Sequence, residues 1–187
     1  MENKLLSTTK DVTECAIFTA VMVVTSFISI PFYPVPISLQ TFTAVLCGLM
    51  LGAKKGAIAM TIYALLGLIG IPVFADHSAA GIAYVSKPSF GYIIGFIAAA
   101  VVGGVISSKN VERKFSKYLI AAFAALGANY VIGIVYFALI WVFVYNGLSN
   151  LLYALGAYNL LYLPKDVLLS VFAAFIAQKA IPLIRKN

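Results

Sequence analysis

FYPVPISLQTFTAVLCGLMLGAKK, residues 32–55, decides how the chain is read. Pro31, Pro34 and Pro36 alternate with apolar residues. Proline fixes φ and biases the preceding residue towards extended backbone, so this run predicts a rigid, non-helical cap over a helix end. From Ile37 to Leu51 follows an almost unbroken apolar helix with one amide, Gln40, in its first turn. Gly52, Lys54 and Lys55 then end it in the manner of a membrane exit on a basic side. One glutamine at the mouth of a buried helix, under a stiff lid, points to a small-molecule site.

The whole chain agrees with a membrane protein. Of its 187 residues 63% are apolar and 10% charged, where a soluble domain carries about 25% charged residues. A net charge of +7 would suggest nucleic acid in a soluble protein. Here the basic residues lie between apolar runs, so loop asymmetry is the better reading. Cys15 and Cys47 fall in predicted helices without metal-ligand spacing and are expected to pack. The first 14 residues lack the basic-then-apolar form of a cleavable signal, so the first helix is expected to stay.

A bilayer span needs about 20 apolar residues. Six helices are expected, at about 12–31, 37–53, 56–71, 89–107, 117–145 and 163–183, forming one all-α transmembrane domain over residues 1–187. Asp11 with Glu14 reads as a variant capping box, and Pro164 is expected in the first turn of the last helix, where its missing N–H costs nothing. With the N-terminus in the cytoplasm, eleven basic residues fall inside and only Lys87 and Lys165 outside, which predicts that both termini are cytoplasmic.

What remains outside is informative. Connections 71–88 and 146–163, with the start of the last expected helix, carry Asp76, His77, Lys87, Lys165 and Asp166 among many aromatics. They are expected to fold down as lids over an outward-facing cavity. Small residues recur four apart at Ala16/Ala20, Gly48/Gly52/Gly56 and Gly91/Gly95, a pattern that lets helices approach closely in lipid. For Ala16 and Ala20 a docking surface for another membrane protein is an alternative to internal packing. Asn129, near mid-membrane, is expected to make an interhelical hydrogen bond.

The sequence has no Gly-Lys dipeptide, hence no nucleotide-binding Walker loop. It also has no HExxH, no Cys/His cluster and no ladder of intramembrane charges. A protein of this kind needs an energised partner. An intramembrane enzyme using His77 and Asp76, or a purely structural membrane partner, are the readings from other classes.

The ordered motifs are specific. Pro34-Val-Pro-Ile-Ser-Leu-Gln-Thr41, Leu51-Gly-Ala-Lys-Lys-Gly56, Gly67-Leu-Ile-Gly-Ile-Pro-Val-Phe-Ala75, Gly91-Tyr-Ile-Ile-Gly-Phe96, Tyr130-Val-Ile-Gly133 and Leu163-Pro-Lys-Asp166 occur in that order. Together they resemble the BioY family, the biotin-binding substrate-capture subunits of energy-coupling factor (ECF) transporters. The resemblance implies six helices with a site opening outward, no enzymatic activity and no cofactor or metal. It also implies a transmembrane coupling subunit and two ABC-type ATPases as partners in a prokaryotic plasma membrane, with docking at Ala16 and Ala20. The ligand would be biotin, or lipoate or another biotin-like acid. The chain departs from the family where Asp76-His-Ser replaces a glycine-rich loop and where Leu169 stands in place of a lysine expected to help hold the ligand. The residues expected around the ligand are Gln40 and Asp166 for the ureido group, Lys87, Lys165 or His77 for the carboxylate, and Phe74, Tyr92 and Tyr136 for the ring.

Overall fold

The computed structural model describes residues 9–30, 32, 35–76, 80–109, 114–146 and 151–184. Six α-helices carry the fold: α1 Thr9–Phe27, α2 Gln40–Leu51, α3 Ala53–Leu68, α4 Phe90–Ser108, α5 Phe115–Ile140 and α6 Leu151–Ile184. A two-stranded antiparallel hairpin, β1 Ser29–Ile30 with β2 Ile37–Ser38, joins α1 to α2. A short 3-10 turn at Ile82–Ser86 precedes α4, and α5 continues into a π-helical turn at Trp141–Asn146.

Three helical stretches, Phe90–Ser108, Phe115–Val144 and Asn159–Pro182, are long and apolar enough to cross a membrane. Among these α4 is the most enclosed. Its inner face is made of small residues, Ala99, Ala100, Gly103 and Gly104. The close approach needs them: a Cβ on Gly104 would lie 2.2 Å from the Ala53 nitrogen, and one on Gly48 would lie 2.6 Å from the Ala100 oxygen. In lipid, such backbone-to-backbone packing takes the place of the hydrophobic drive that assembles soluble bundles.

Several boundaries differ from those the sequence suggests, each for a physical reason. α1 ends at Phe27 because the chain turns into the hairpin there, and the proline-rich cap is the loop of that hairpin; Pro31 and Pro34 themselves lie outside the described residues. Only Gly52, at φ 81°, separates α2 from α3. α2 has 12 residues, a length of about 18 Å, too short to cross a hydrocarbon core of about 30 Å.

Connection 146–163 is a correction. Residues 151–163 are helical and belong to α6, which runs for 34 residues with Pro164 and Pro182 inside it. Pro164 therefore lies in the interior of α6 rather than in a first turn, and it removes one i→i−4 hydrogen bond just before Asp166. Asp11 and Glu14 also play a different part. α1 already begins at Thr9, and both carboxylates pair with Lys55, tying the start of α3 to the first turns of α1. Asn129 makes no hydrogen bond among the described residues; its fully buried amide packs on Gly95, where a Cβ would come within 2.2 Å of Oδ1. Cys15 and Cys47 are both buried and unbridged.

Candidate ligand-binding site

The site begins with the hairpin. β2 ends at Ser38, and two residues on, Gln40 opens α2 with its side chain buried. The Ser38 hydroxyl donates to Gln40 Oε1 at 3.1 Å. Gln40 Nε2 donates to the Tyr63 hydroxyl, which donates in turn to the Val73 carbonyl at 3.0 Å. Both ends of the amide are thus fixed before any ligand arrives. Tyr63→Phe removes the acceptor of a buried N–H, so it is expected to lower stability by about 1–3 kcal/mol and to weaken ligand binding; thermal unfolding and a binding titration check the two effects.

α6 supplies the opposite wall. Asp166 is only 4% exposed, an unusual position for a carboxylate. Its Oδ2 accepts from the Tyr130 hydroxyl at 2.8 Å. Its Oδ1 lies 2.8 Å from Lys165 Nζ, a charge contact without hydrogen-bond alignment. Lys165 also donates to the Ser38 carbonyl at 2.5 Å, and one turn earlier the Tyr162 hydroxyl donates to the Val35 carbonyl at 2.6 Å. The hairpin is therefore fastened to α6 at two points. Tyr92 closes the α4 side; its hydroxyl donates to Asn159 Oδ1 at 2.8 Å, and its ring meets Tyr130 edge to face at 6.1 Å. Gly133 makes room for that ring, since a Cβ there would lie 2.4 Å from it.

Between these walls is a small cavity of about 50 Å³, tighter than the roughly 300–1,000 Å³ of drug-sized ligand sites, so a ligand of that size needs the roof to lift. Gln40, Tyr92, Lys165 and Asp166 all line it, roofed by residues 35–38. Ala75, Tyr84 and Ser89 complete the side facing the 3-10 turn. Tyr84 is almost wholly buried and burial pushes its hydroxyl pKa up to about 12, so it stays protonated, accepting from Ser89 Oγ at 3.1 Å.

Of the eight residues proposed for the ligand, these four converge. Three do not line the cavity but support its wall. Phe74 is buried between Tyr63 and Tyr84, with its ring filling the space that Gly67 leaves open. Tyr136 donates to the Val85 carbonyl at 2.6 Å and rests on Gly91. Lys87 pairs with Asp76 and lies 5.6 Å from the centre of the Tyr84 ring. His77 lies outside the described residues. Sequence reasoning missed Ser38, Tyr84, Tyr130 and Tyr162 as lining residues. Tyr130 stood in a quoted motif, but nothing in the sequence sets it against Asp166 from 36 residues away.

Away from the cavity, α1 and α3 form an open apolar groove. Ala16 and Ala20 form its floor, with Val12 and Val23 from α1 and Ile62 and Leu66 from α3 beside them.

A family model described as the BioY family matches residues 1–186. A biotin transporter BioY of Thermotoga maritima is 41% identical over 121 residues, 65% of this chain and 70% of that protein. A biotin transporter BioY of Rhizobium etli is 32% identical over 180 residues, 91% of this chain and 92% of that one. Among solved structures, the S-component for biotin from an ECF-type ABC transporter superposes with a TM-score of 0.77. The two are 27% identical, and the match covers all of this chain and 95% of that one.

Proposed function

We propose, from the premise that this chain belongs to the BioY family, that it is the substrate-binding membrane subunit of an ECF-type importer for biotin. It is not an enzyme. It takes biotin at the outer face of a prokaryotic plasma membrane and delivers it with a transmembrane coupling subunit and two ABC-type ATPases. Relatives named for biotin favour that ligand over lipoate.

The observation that carries this reading is the meeting of Gln40, Lys165 and Asp166 in one tyrosine-walled cavity. Biotin has a polar ureido head, an apolar ring and an acid chain. A buried polar head needs a partner for each donor and acceptor, at a cost of about 1–3 kcal/mol for each one missed. Asp166 supplies acceptors, Lys165 donors, and Gln40 both kinds, while Tyr92 and Phe96 offer apolar surface to the ring. Lid and cavity face outward and both termini face the cytoplasm, in keeping with eleven basic residues against two.

Uptake of labelled biotin by a biotin-auxotrophic bacterium lacking its own importer tests the assignment. Uptake should require this chain, the coupling subunit and intact ATPases together; uptake that persists without one of them, that unlabelled biotin fails to compete, or that is absent with all components present, contradicts it. The groove at Ala16 and Ala20 is the docking surface in this account. Ala16→Leu with Ala20→Leu should reduce uptake about tenfold or more by keeping helices apart, while binding of biotin to the isolated subunit stays within about twofold of wild type.

A further inference from the structure

The two walls of the apolar groove belong to different helices, α1 and α3, and one seam holds them together. Lys55 lies seven residues before Ile62 and so on the face of α3 that carries Ile62 and Leu66 into the groove. Three fasteners run along the seam. Lys55 Nζ pairs with Asp11 at 3.1 Å and with Glu14. Cys15 Sγ then donates to the Lys55 carbonyl at 3.5 Å, and one turn further Thr19 Oγ1 lies 3.1 Å from the Ala59 carbonyl. The three are unequal. A thiol is a weak donor, and the single Thr19 hydrogen is shared with the Cys15 carbonyl of its own helix at 2.9 Å. An ammonium between two carboxylates makes the stronger, charge-assisted bonds. The spacing of the groove walls therefore depends most on Lys55.

The groove also limits what can fill it. Its thiol and its hydroxyl are both spent on the seam, so it offers an occupant no polar side chain. The lining of α1 runs from Val12 to Val23, about 16 Å or three helical turns. The Ala16 and Ala20 floor lets another backbone come close. A second copy packed in parallel on the same patch would bring two identical charged clusters together. An apolar helix of a different protein meets none of these obstacles.

We propose that Lys55, held between Asp11 and Glu14, is the positioning residue that sets this groove for an apolar helix of the coupling subunit. The inference rests on the reading above that the groove is the docking surface. Lys55 acts through the spacing of α1 and α3, so what counts is that the pair exists and not which helix carries the cation.

The test measures assembly of the full chain with the coupling subunit and two ATPases in nanodiscs, beside biotin affinity of the isolated chain. Lys55→Met should weaken assembly about fivefold or more and leave biotin affinity within about twofold of wild type. Asp11→Asn with Glu14→Gln removes the same pairs from the other side and serves if the methionine variant does not fold. An exchange then isolates the pair. In an Asp11→Asn background, Lys55→Glu should lower assembly, and adding Glu14→Lys should restore it to within about threefold of that background. If the exchanged pair binds biotin but does not restore assembly, Lys55 acts by its own charge and the proposal is overturned. Biotin affinity that falls in step with assembly would make Lys55 a brace of the whole bundle, which also overturns it. So would native mass spectrometry showing a second copy or a lipid that Ala16→Leu with Ala20→Leu displaces. If that double variant assembles as well as wild type, the docking reading itself fails, and this inference with it.

Discussion

Asp166→Ala is expected to weaken biotin binding by at least about a hundredfold. The substitution removes the acceptor for a ureido N–H and does more besides. It strips the Tyr130 hydroxyl of its acceptor and leaves Lys165 beside the cavity without its counter-charge. Breaking one member of a desolvated charge pair costs more than the pair contributes, because the remaining ion is left uncompensated. Asp166→Asn, nearly the same shape, separates the effects: it keeps an oxygen for the ligand but loses the charge, so the loss should be smaller, about tenfold. Tyr130→Phe should weaken binding less than either. A calorimetric titration of each variant with biotin gives the order. Equal affinity for Asp166→Ala and wild type would mean that the ligand does not use the α6 wall.

The second large effect is on the framework. Gly104→Val should destabilise the protein by about 1–3 kcal/mol or more, with a matching loss of ligand affinity. Even a single Cβ at Gly104 would come within 2.2 Å of the Ala53 nitrogen and 2.5 Å of the Gly52 carbonyl carbon. These are main-chain atoms at the corner between α2 and α3, not flexible side-chain ends, so α4 itself must shift. α2 carries Gln40 at its far end, which is how a substitution deep in the bundle reaches the site. Gly127→Ala is the control. No atom lies within 4 Å of a Cβ there, and replacing glycine inside a helix should stabilise α5 by about 0.5–1 kcal/mol. Thermal unfolding in detergent compares the two; similar melting points for Gly104→Val and wild type would contradict the close packing described.

The framework was readable where chemistry in lipid leaves few choices. The apolar runs of α4 and α5 demand helices, and the glycines of Gly91-Tyr-Ile-Ile-Gly95 announce close contact. What escaped reading has one cause in each case. In a membrane helix every face is apolar, so periodicity does not tell the face that packs from the one that meets lipid. Nothing in the sequence therefore separated Tyr130, which reaches Asp166, from Tyr136, which braces Val85. Pro164 reads as a helix start because interior prolines are costly, and only packing reveals that α6 runs through it. Gln40, Lys165 and Asp166 were legible because isolated polar groups among apolar residues are expensive. The resemblance led one to expect a lysine at position 169. Lys165 lies four residues before Leu169 and hence on the same helix face, so the cation is offered from one turn nearer the lid.

The central claim is that this cavity holds one biotin molecule. Titration of the purified protein with biotin tests it most directly, by calorimetry or by the fluorescence of the single tryptophan, Trp141, which packs in the cluster of Val35, Phe137 and Tyr162 under the lid. The account predicts saturable binding of one biotin per chain, tighter than about 1 μM, with a change in Trp141 emission. Heat or emission that never saturates up to about 1 mM biotin would contradict it.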